Sequence, residues 1–458
     1  MAKRDTVIVL TRYPAPGTTK TRMIPSLGED GAARLQRRMT LKTLAECSPN
    51  VLNAHAVHDA HAAHAAVEIR YASHDAHDGH ESHDCDDELL MKRWLGASRT
   101  YIPQADGDLG ARMANAFSEA FLNGSERVVI IGTDCPGLNA GHLHAAFEKL
   151  DTCDMVLGPA HDGGYYLIGL GKKARHAAVP GLFEHIGWGT ADVFAETVKK
   201  AGSLGLSHDI LDILHDVDRP EDLPVWERTQ KKLSVIIPTL NEKDTIGRTL
   251  EHAGRGSNIE IITVDGGSTD GTRELIEAQG IACITGAKGR GSQMNLGFAH
   301  STGEIILFLH ADTILPEDYD VIARAALDAE DIVCGAFTLG IDSPWKALRI
   351  IEATTHFRAK YMQMPYGDQA LFMRRQTFVE SGGFPDMPVM EDFEFVRRLG
   401  RVGKIGIVPF RVLTSGRRWE RRGIMRTTLI NQCMIAGYYL GIPSDTLARL
   451  YYGKNRKQ

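Results

Sequence analysis

The chain has 458 residues, of which 43% are hydrophobic and 24% are charged. These fractions are typical of soluble globular protein and exclude disordered, collagen-like and coiled-coil architectures, while the length suits two domains. The net charge of −6 also excludes a nucleic-acid binder by composition.

The charge is unevenly distributed along the chain. Residues 1–229 carry 23 basic and 32 acidic side chains, residues 230–458 carry 29 and 26, and residues 401–458 alone hold 12 basic against 2 acidic. The seven cysteines show no CxxC spacing, no window is apolar enough to span a bilayer, and the first residues lack a signal-peptide core. We therefore predict free thiols and a cytoplasmic protein.

Short β-branched runs alternate with helix-length segments along the chain. This alternation predicts βαβ units, and therefore the α/β class with mostly parallel sheets. The charged stretch 225–232 has no apolar periodicity and predicts a boundary between a domain of residues 1–229 and one of residues 230–458. The runs are Val7–Leu10, Val128–Ile131, Met155–Leu157, Val235–Ile237, Ile259–Val264, Ile305–Leu309 and Val333–Phe337.

A histidine-rich segment interrupts the first half near residues 55–83. Eight of the 19 histidines recur there at intervals of three residues, interleaved with alanine and aspartate. That spacing places imidazoles on roughly one helical face, where they could ligate Zn²⁺ or Ni²⁺. The alternative is a low-complexity repeat in a surface loop.

The loop of residues 14–22, after the first strand, combines Gly17 with Lys20 and Arg22. Glycine permits close approach to an anion and the two cations suit a triphosphate, although a solvated turn has the same composition. Asp134 ends a strand, where ligands of open α/β sheets bind, yet aspartate there is also a common helix N-cap. Two further loops present acidic side chains beside glycines: Asp108 and Asp162.

These loops, with Trp188–Thr190 and Asp216–Asp222, resemble the MobA/CofC-like nucleotidyltransferases of GT-A fold, and more closely their uncharacterised branch near arsenosugar-type gene clusters. The resemblance covers residues 5–225 and implies an NTP and a sugar phosphate as substrates, with Mg²⁺ (or Mn²⁺) as cofactor. It implies that Asp134 and either Asp216 or Asp218 hold the metal, although the latter pair could also cap the helix at Pro220. The family's LAGGxSxRxG-type loop is replaced by residues 16–22, which leaves the nucleobase open. The remaining roles implied are catalysis for Lys20 and nucleotide or substrate binding for Gly17, Arg22, Asp108 and Asp162.

The second half contains an ordered series of motifs. A strand ends in Asp265, whose carboxylate can accept from a base N–H or a ribose hydroxyl, although an Asx turn explains such a loop equally well. Asp312 ends a later strand as Asp134 does in the first half. The segments are Ser234–Glu242, Ile261–Gly271, Gly289–Gly297 and Leu309–Thr313.

In this order the motifs resemble glycosyltransferase family 2, an inverting GT-A family, over residues 232–415. The resemblance implies that Asp312 ends the metal-binding DxD motif, whose first aspartate is His310 here. It also implies that Asp392, in the acidic pair with Glu391, is the general base that deprotonates the acceptor. The alternative for Asp392 is a helix N-cap. The residues implied to bind the nucleotide or substrate are Pro238, Glu242, Asp265, Arg290, Asp368 and Gln369.

Together the patterns predict a bifunctional enzyme of two tandem GT-A domains. The first half would form a nucleotide sugar from an NTP and a sugar 1-phosphate, and the second would move a sugar from a nucleotide donor to an unidentified acceptor. Two alternatives stay open: an active second half with a nucleotide-binding regulatory first half, or a metal-binding or interaction protein that uses its histidines. The apolar, basic tail after Arg426 either covers the acceptor pocket or makes peripheral contact with an anionic membrane.

Overall fold

A computed structural model describes residues 5–47, 65–72, 84–97, 99–171, 174, 179–329 and 331–452. The histidines of the segment 55–83 lie outside the described residues, and so does the prediction of a metal site there. The chain forms two compact units, Met1–Thr229 and Gln230–Gln458. None of the described helices combines the length and the apolar character needed to cross a membrane.

The first unit is built around a seven-stranded sheet. Its strands are β1 (Asp5–Arg12), β2 (Ala66–Ala72), β3 (Thr100–Pro103), β4 (Arg127–Ile131), β5 (Met155–Pro159), β6 (Tyr165–Gly171) and β7 (His208–Ile210). They are ordered β3-β2-β1-β4-β6-β5-β7. All neighbours are parallel except β6, which runs antiparallel to both β4 and β5.

Alternation along β1 explains why helices cover both faces of this sheet. Val7 and Val9 belong to one buried cluster and Ile8 to another, because successive side chains of a strand point to opposite faces. Leu44 packs in the first cluster and Phe117 in the second. The described helices are α1 (Ile24–Glu46, kinked at Gly28), α2 (Asp84–Leu95), α3 (Leu109–Leu122), α4 (Ala140–Lys149), α5 (Val179–Leu182), α6 (Val193–Ser203) and α7 (Leu223–Arg228).

The second unit contains an eight-stranded sheet. Its strands are β8 (Leu233–Thr239), β9 (Ile259–Asp265), β10 (Ala282–Thr285), β11 (Ile305–Phe308), β12 (Thr313–Ile314), β13 (Ile332–Asp342), β14 (Phe372–Arg374) and β15 (Lys404–Ser415). The order is β10-β9-β8-β11-β14-β13-β15-β12. The four strands β10, β9, β8 and β11 are parallel to one another. Strand β14 is antiparallel to both β11 and β13, and β12 is antiparallel to β15.

Helices alternate with the strands in the second unit as they do in the first. The predicted α/β class with two mostly parallel sheets is therefore confirmed. In each unit the central parallel strands, β1 with β4 and β8 with β11, end at the same sheet edge. Ligands bind at that edge in open α/β sheets, so both candidate sites are expected there. The described helices are α8 (Lys243–Ala253), α9 (Thr272–Ala278), α10 (Arg290–His300), α11 (Tyr319–Ala326), α12 (Leu348–Met362), α13 (Arg375–Glu380), α14 (Glu391–Leu399), α15 (Arg417–Arg422), α16 (Ile424–Tyr439) and α17 (Ser444–Tyr452).

Candidate active sites

The first unit has a cavity of about 820 Å³ at the carboxyl ends of β1 and β4. Five of the residues singled out in the sequence line it, although they come from distant parts of the chain: Arg22, Asp134, Asp162, Asp216 and Asp218. The backbone N–H of Val217 donates to the carbonyl of Asp134, which ties the later acidic loop to the end of β4.

Lys20 lies between two of these carboxylates. Its Nζ is 2.8 Å from Asp134 Oδ1 and 3.1 Å from Asp218 Oδ1, and it donates to the Val217 carbonyl at 2.7 Å. The side chain is only 4% exposed. Burial lowers the pKa of Lys20, but Asp134 and Asp218 outweigh it and the pKa is raised, so the side chain is an ammonium.

The carboxylates around Lys20 carry more negative charge than its single ammonium group can neutralise. The pKa of Asp216 is raised by burial and by the charges of Asp162, Asp218 and Asp222. Arg22, 66% exposed, lies 3.7 Å from Asp218 Oδ2 and adds a cation at the rim. The site therefore combines a fixed buried cation with a surplus of carboxylates that would attract further cations.

The residues present fit the chemistry of Mg²⁺. Carboxylate oxygens such as those of Asp134, Asp216 and Asp218 are the hard donors that this ion prefers. The pKa of Asp216 is raised first by burial and then by the negative charge of Asp162, which a cation at this position would offset. Within the described ranges, no group of three or more His, Cys, Asp or Glu side chains is already arranged to hold a metal. Lys20 supplies the cation next to Asp134 and Asp218.

The helix-cap alternatives for these aspartates do not match the observed caps. Asn139, not Asp134, caps α4 by accepting from the backbone N–H of His142. Before α7, the carboxylate of Asp222 accepts from the backbone N–H groups of Asp218 and Arg219, and neither Asp216 nor Asp218 is the cap.

Two residues predicted to bind nucleotide or substrate lie elsewhere. Asp108 is the N-cap of α3 and accepts from the backbone N–H of Ala111 at 2.8 Å. Neither Asp108 nor Gly17 is among the residues that line the cavity. Gly17 has a φ of +81°, so it serves the turn of its loop. Asp162 does line the cavity, while its Oδ1 also accepts from the backbone N–H of Gly164 at 2.9 Å, the local turn bond expected as its alternative.

Trp188 of the sequence motif also lines the cavity and packs against Gly110: a Cβ at Gly110 would lie 2.7 Å from Trp188 Cζ2. The cavity further contains two histidines to which the motifs gave no role. His161 and His215 stack at the cavity with ring centroids 4.0 Å apart. Both histidines adjoin acidic residues of the motifs, but this stacking joins segments far apart in sequence and has no local signature.

The second unit has a cavity of about 510 Å³ at the carboxyl ends of β8 and β11. Most residues that the sequence assigned to this half line it together: Pro238, Glu242, Arg290, Asp312, Asp368, Glu391 and Asp392.

Asp392 lies in the first turn of α14 with its carboxylate held by backbone donors. Oδ2 accepts from the N–H of Gly367 at 2.9 Å, and Oδ1 accepts from the N–H of Phe393 at 2.8 Å. The N-cap position belongs to Met390, so Asp392 is not the cap of this helix. Burial raises the pKa of Asp392, but the charge of Arg290 and the Gly367 N–H outweigh it, and the pKa is lowered.

Its neighbour Glu391 has a different environment. Glu391 is 2% exposed and forms an ion pair with Nε of Arg290. The pair fixes the guanidinium beside Asp392, since both Glu391 and Asp392 interact with Arg290 electrostatically. Glu391 is therefore committed to positioning Arg290, and Asp392 is the better placed of the two for contact with a ligand.

Asp312 shares a cation with Glu242. Arg417 Nη2 lies 2.6 Å from Glu242 Oε2 and 3.4 Å from Asp312 Oδ2. Burial and then the charge of Glu242 raise the pKa of Asp312, while Arg417 lowers it, and the net pKa is raised. A divalent cation would relieve this repulsion, so Asp312 and its carboxylate neighbour fit Mg²⁺ or Mn²⁺ despite the histidine at position 310.

His310 lies against the catalytic candidate. Burial, followed by the positive charge of Arg290, lowers the pKa of His310 to about 3, so the imidazole is neutral. Its Nε2 is buried, with no hydrogen-bond partner among the described residues. Gly367 separates His310 from Asp392: a Cβ there would lie 2.9 Å from His310 Nε2 and 3.2 Å from Asp392 Oδ2. The close packing requires glycine at this position.

Two predicted binding residues of this half serve its interior instead. Asp265 accepts from the N–H groups of Gly267 and Ser268 and from the Ser268 hydroxyl, as an Asx-type turn does. Gln369 is fully buried and donates to the carbonyl of Phe337 at 2.9 Å. Neither is among the cavity-lining residues, because the side chain of Asp265 stabilises its own turn and that of Gln369 bonds to the neighbouring strand β13.

Helices from the basic tail cover this cavity. Asn431, Met434 and Ile435 of α16 and Tyr451 of α17 line it, together with Arg418 of α15. This arrangement agrees with the pocket-cover alternative for the tail. The motifs could not assign these residues individually, because no pattern in the tail shows which helical face turns inward.

Comparisons with known proteins agree with this division of the chain. Residues 58–190 match DUF2064, described as an uncharacterized protein conserved in bacteria, and residues 234–383 match glycosyl transferase family 2. The chain therefore contains a DUF2064 domain followed by a glycosyltransferase family 2 domain.

Three individual proteins illustrate the similarity. An undecaprenyl-phosphate 4-deoxy-4-formamido-L-arabinose transferase of Klebsiella pneumoniae is 30% identical, over 22% of this chain and 39% of its own length. An uncharacterized glycosyltransferase of Nostoc sp. is 38% identical, over 18% of this chain and 29% of its own. A candidate nucleotide-diphospho-sugar transferase of known structure from Desulfovibrio desulfuricans G20 is 33% identical, covering 49% of this chain and 87% of that chain, with a TM-score of 0.42. The chain thus spans well under half of the length of both curated relatives.

Proposed function

We propose that the chain is a bifunctional transferase. The first unit couples an NTP to a sugar 1-phosphate and releases pyrophosphate, and the second is an inverting glycosyltransferase that takes a sugar from a nucleotide donor. The observation that carries the proposal is the second cavity, where Asp392, with its lowered pKa, shares one space with Arg290 and Asp312.

In the second cavity, inverting transfer is one displacement at the anomeric carbon. Asp392 takes the proton of the acceptor hydroxyl, and its backbone hydrogen bonds hold the receiving oxygen in place. Arg290, fixed by Glu391, neutralises the diphosphate that departs from the donor. Asp312 would hold Mg²⁺ or Mn²⁺, which when bound adds charge neutralisation at the same diphosphate.

Beside the first cavity, the buried ammonium of Lys20, which pairs with the lining carboxylates of Asp134 and Asp218, supports a nucleotidyltransferase of the MobA/CofC-like kind. Lys20 would stabilise a triphosphate at the point where charge builds up, with Arg22 at the exposed rim. Asp134 and Asp216 would hold Mg²⁺, which when bound screens the phosphates from each other. The surplus of carboxylates over cations around Asp216 supports this role.

The test is direct. The purified chain is incubated with Mg²⁺, each NTP in turn and a panel of sugar 1-phosphates, and pyrophosphate release is measured. The product mixture is then offered to acceptors and assayed for sugar transfer and nucleoside diphosphate. We expect both activities; nucleoside diphosphate release from supplied nucleotide sugars without any pyrophosphate release would contradict the first half of the proposal.

If the experiment detects sugar transfer but no pyrophosphate release, a second candidate function applies. In that candidate the first unit binds nucleotide as a regulatory domain. Its support is that Lys20 already neutralises two of the carboxylates expected to bind metal. The metal-binding alternative depends on the histidines of residues 55–83. Replacing those histidines by alanine, with strand β2 (Ala66–Ala72) left in place, separates it from the other two. Only in that alternative is function lost while both nucleotide sites stay intact.

A further inference from the structure

Helix α12 presents an apolar stripe to solvent. Ile350, Phe357 and Tyr361 occur at i, i+7 and i+11, which places them on one face, and each is between 59% and 66% exposed. The opposite face is buried against the sheet, so the stripe is not part of the core of this unit. The buried residues of α12 are Leu348, Glu352, Thr355 and Ala359.

Helix α16 presents a second stripe of the same kind. Met425 and Leu429 lie on one face of the helix and are 85% and 64% exposed, and Leu440, directly after its last residue, is 79% exposed. Met434, on the other side of the helix, lines the cavity. One helix therefore separates the second cavity from an exposed apolar surface.

The first turns of the two helices pack on one buried cluster. Ile351 of α12 and Ile424 of α16 pack against the same buried cluster, which contains Leu348 and Trp419. Ile350 and Met425, the exposed residues adjacent to this contact, start the two stripes. We call six exposed apolar residues the α12–α16 surface: Ile350, Phe357 and Tyr361 of α12, Met425 and Leu429 of α16, and Leu440 directly after α16.

Basic side chains surround this surface. Residues 345–362 contain four basic residues and one acidic residue, and residues 417–440 contain five and one. The acidic residue of the first group, Glu352, is buried and paired with Arg349. Arg417 and Arg418 face the cavity, so they do not contribute to this surface. The remaining exposed cations are Lys346 and Lys360 at α12, Arg421 and Arg422 of α15, and Arg426 of α16, so the outward charge is positive.

We propose that the α12–α16 surface docks on an anionic lipid bilayer. Exposed Leu, Phe and Tyr side chains with flanking Lys and Arg are the combination by which an interfacial helix inserts its apolar face among acyl chains and binds anionic headgroups. A second copy of the chain is disfavoured as the occupant, because it would bring the same positive charge against this one. The inference does not depend on the transfer reaction proposed above.

The test is co-sedimentation of the full chain with phosphatidylcholine vesicles that either lack or contain phosphatidylglycerol. We expect binding to the anionic vesicles only, weakened by salt. The double variant Phe357→Glu/Leu429→Glu should abolish binding, and Arg421→Gln/Arg426→Gln should weaken it about thirtyfold, since each basic side chain contributes about fivefold.

The matched control is Leu122→Glu, at an equally exposed leucine of α3 in the first unit, which should bind like the unaltered chain. Melting temperatures close to that of the unaltered chain exclude unfolding as the cause of lost binding. Anionic vesicle binding that survives Phe357→Glu/Leu429→Glu would overturn the proposal. So would the absence of vesicle binding combined with a dimer, seen by sedimentation velocity, that the same double variant dissociates.

Discussion

The carboxylate of Asp392 accepts a 2.9 Å hydrogen bond at Oδ2 from the backbone N–H of Gly367. Asp392 lies in the first turn of α14 and Gly367 in the short turn after α12, and their hydrogen bond joins these two segments. The charge of Arg290 and this hydrogen bond keep the pKa of Asp392 below its usual value. The carboxylate therefore stays ionised across the neutral range. A base that must accept a proton from a hydroxyl requires that ionised form.

Replacing Asp392 by asparagine should remove the base and keep the shape. We expect donor affinity to change little, because a general base contacts the acceptor and not the donor. The transfer rate should fall by about 10² to 10⁴, or about 3–5 kcal/mol of barrier. Initial rates and calorimetric titration with the nucleotide donor measure the two quantities on one preparation.

Asp386→Asn is the matched control, since Asp386 is exposed and outside the lining of the cavity. Asp312→Asn should behave differently again, weakening donor and metal binding together. Unchanged turnover in Asp392→Asn with a lower melting point would remove Asp392 from the active site and make Glu391 or Asp368 the candidate for the base.

Gly367→Ala tests the packing between His310 and Asp392. The new methyl group would lie 2.9 Å from His310 Nε2 and 3.2 Å from Asp392 Oδ2, so one of the two side chains must move. A displacement of about 1 Å at a reacting group costs roughly 10²-fold in rate, and we expect a loss of transfer of that order. The measurement is kcat for transfer, with Gly400→Ala as control because its new methyl group would have no neighbour closer than 3.6 Å. Equal rates for both variants would show that the spacing at Gly367 is not critical.

Asp134→Asn should separate the two activities. The substitution removes a carboxylate beside Lys20 in the first unit, so pyrophosphate release should be abolished while transfer from a supplied nucleotide sugar continues. Asp108→Asn is the control: it lies outside the cavity, and asparagine caps a helix as well as aspartate does, so both activities should persist. If Asp134→Asn in a folded protein stops transfer as well, the two units do not act independently.

The fold was predictable because its signals are local. Val7, Ile8 and Val9 fill both faces of β1 and read as a buried parallel strand, and the same holds for Val235–Ile237 in β8. Asp134 and Asp312 were predictable as cavity residues because the parallel order of the strands decides where their ends meet.

Other site features depend on tertiary contacts that no local pattern encodes. Gln369 was expected in the nucleotide pocket, but its side chain donates to the carbonyl of Phe337, 32 residues away in the chain. Asp265 differs, because it forms the local Asx-type turn that its loop sequence had offered as the alternative. The pairing of Lys20 with Asp218 joins residues far apart in the chain, and the same holds for Arg290 with Glu391. Sequence motifs identify which residue types are present, while the side-chain partners emerge only from the folded chain.

Asp368 should make the second unit less stable as the pH rises from about 4 to about 6. Burial, together with the charge of Asp392, raises the pKa of Asp368 to about 6, despite the opposing effect of Arg358. An aspartate of the unfolded chain titrates near 3.9, so between these values the folded state binds the extra proton and loses stability as the proton leaves. The shift of about two units corresponds to roughly 3 kcal/mol, fully lost above pH 6. Asp368→Asn cannot ionise, so the melting temperature of the variant relative to the unaltered chain should increase across this range. A difference that stays constant from pH 4 to 7 would show that Asp368 is ionised in the folded protein throughout.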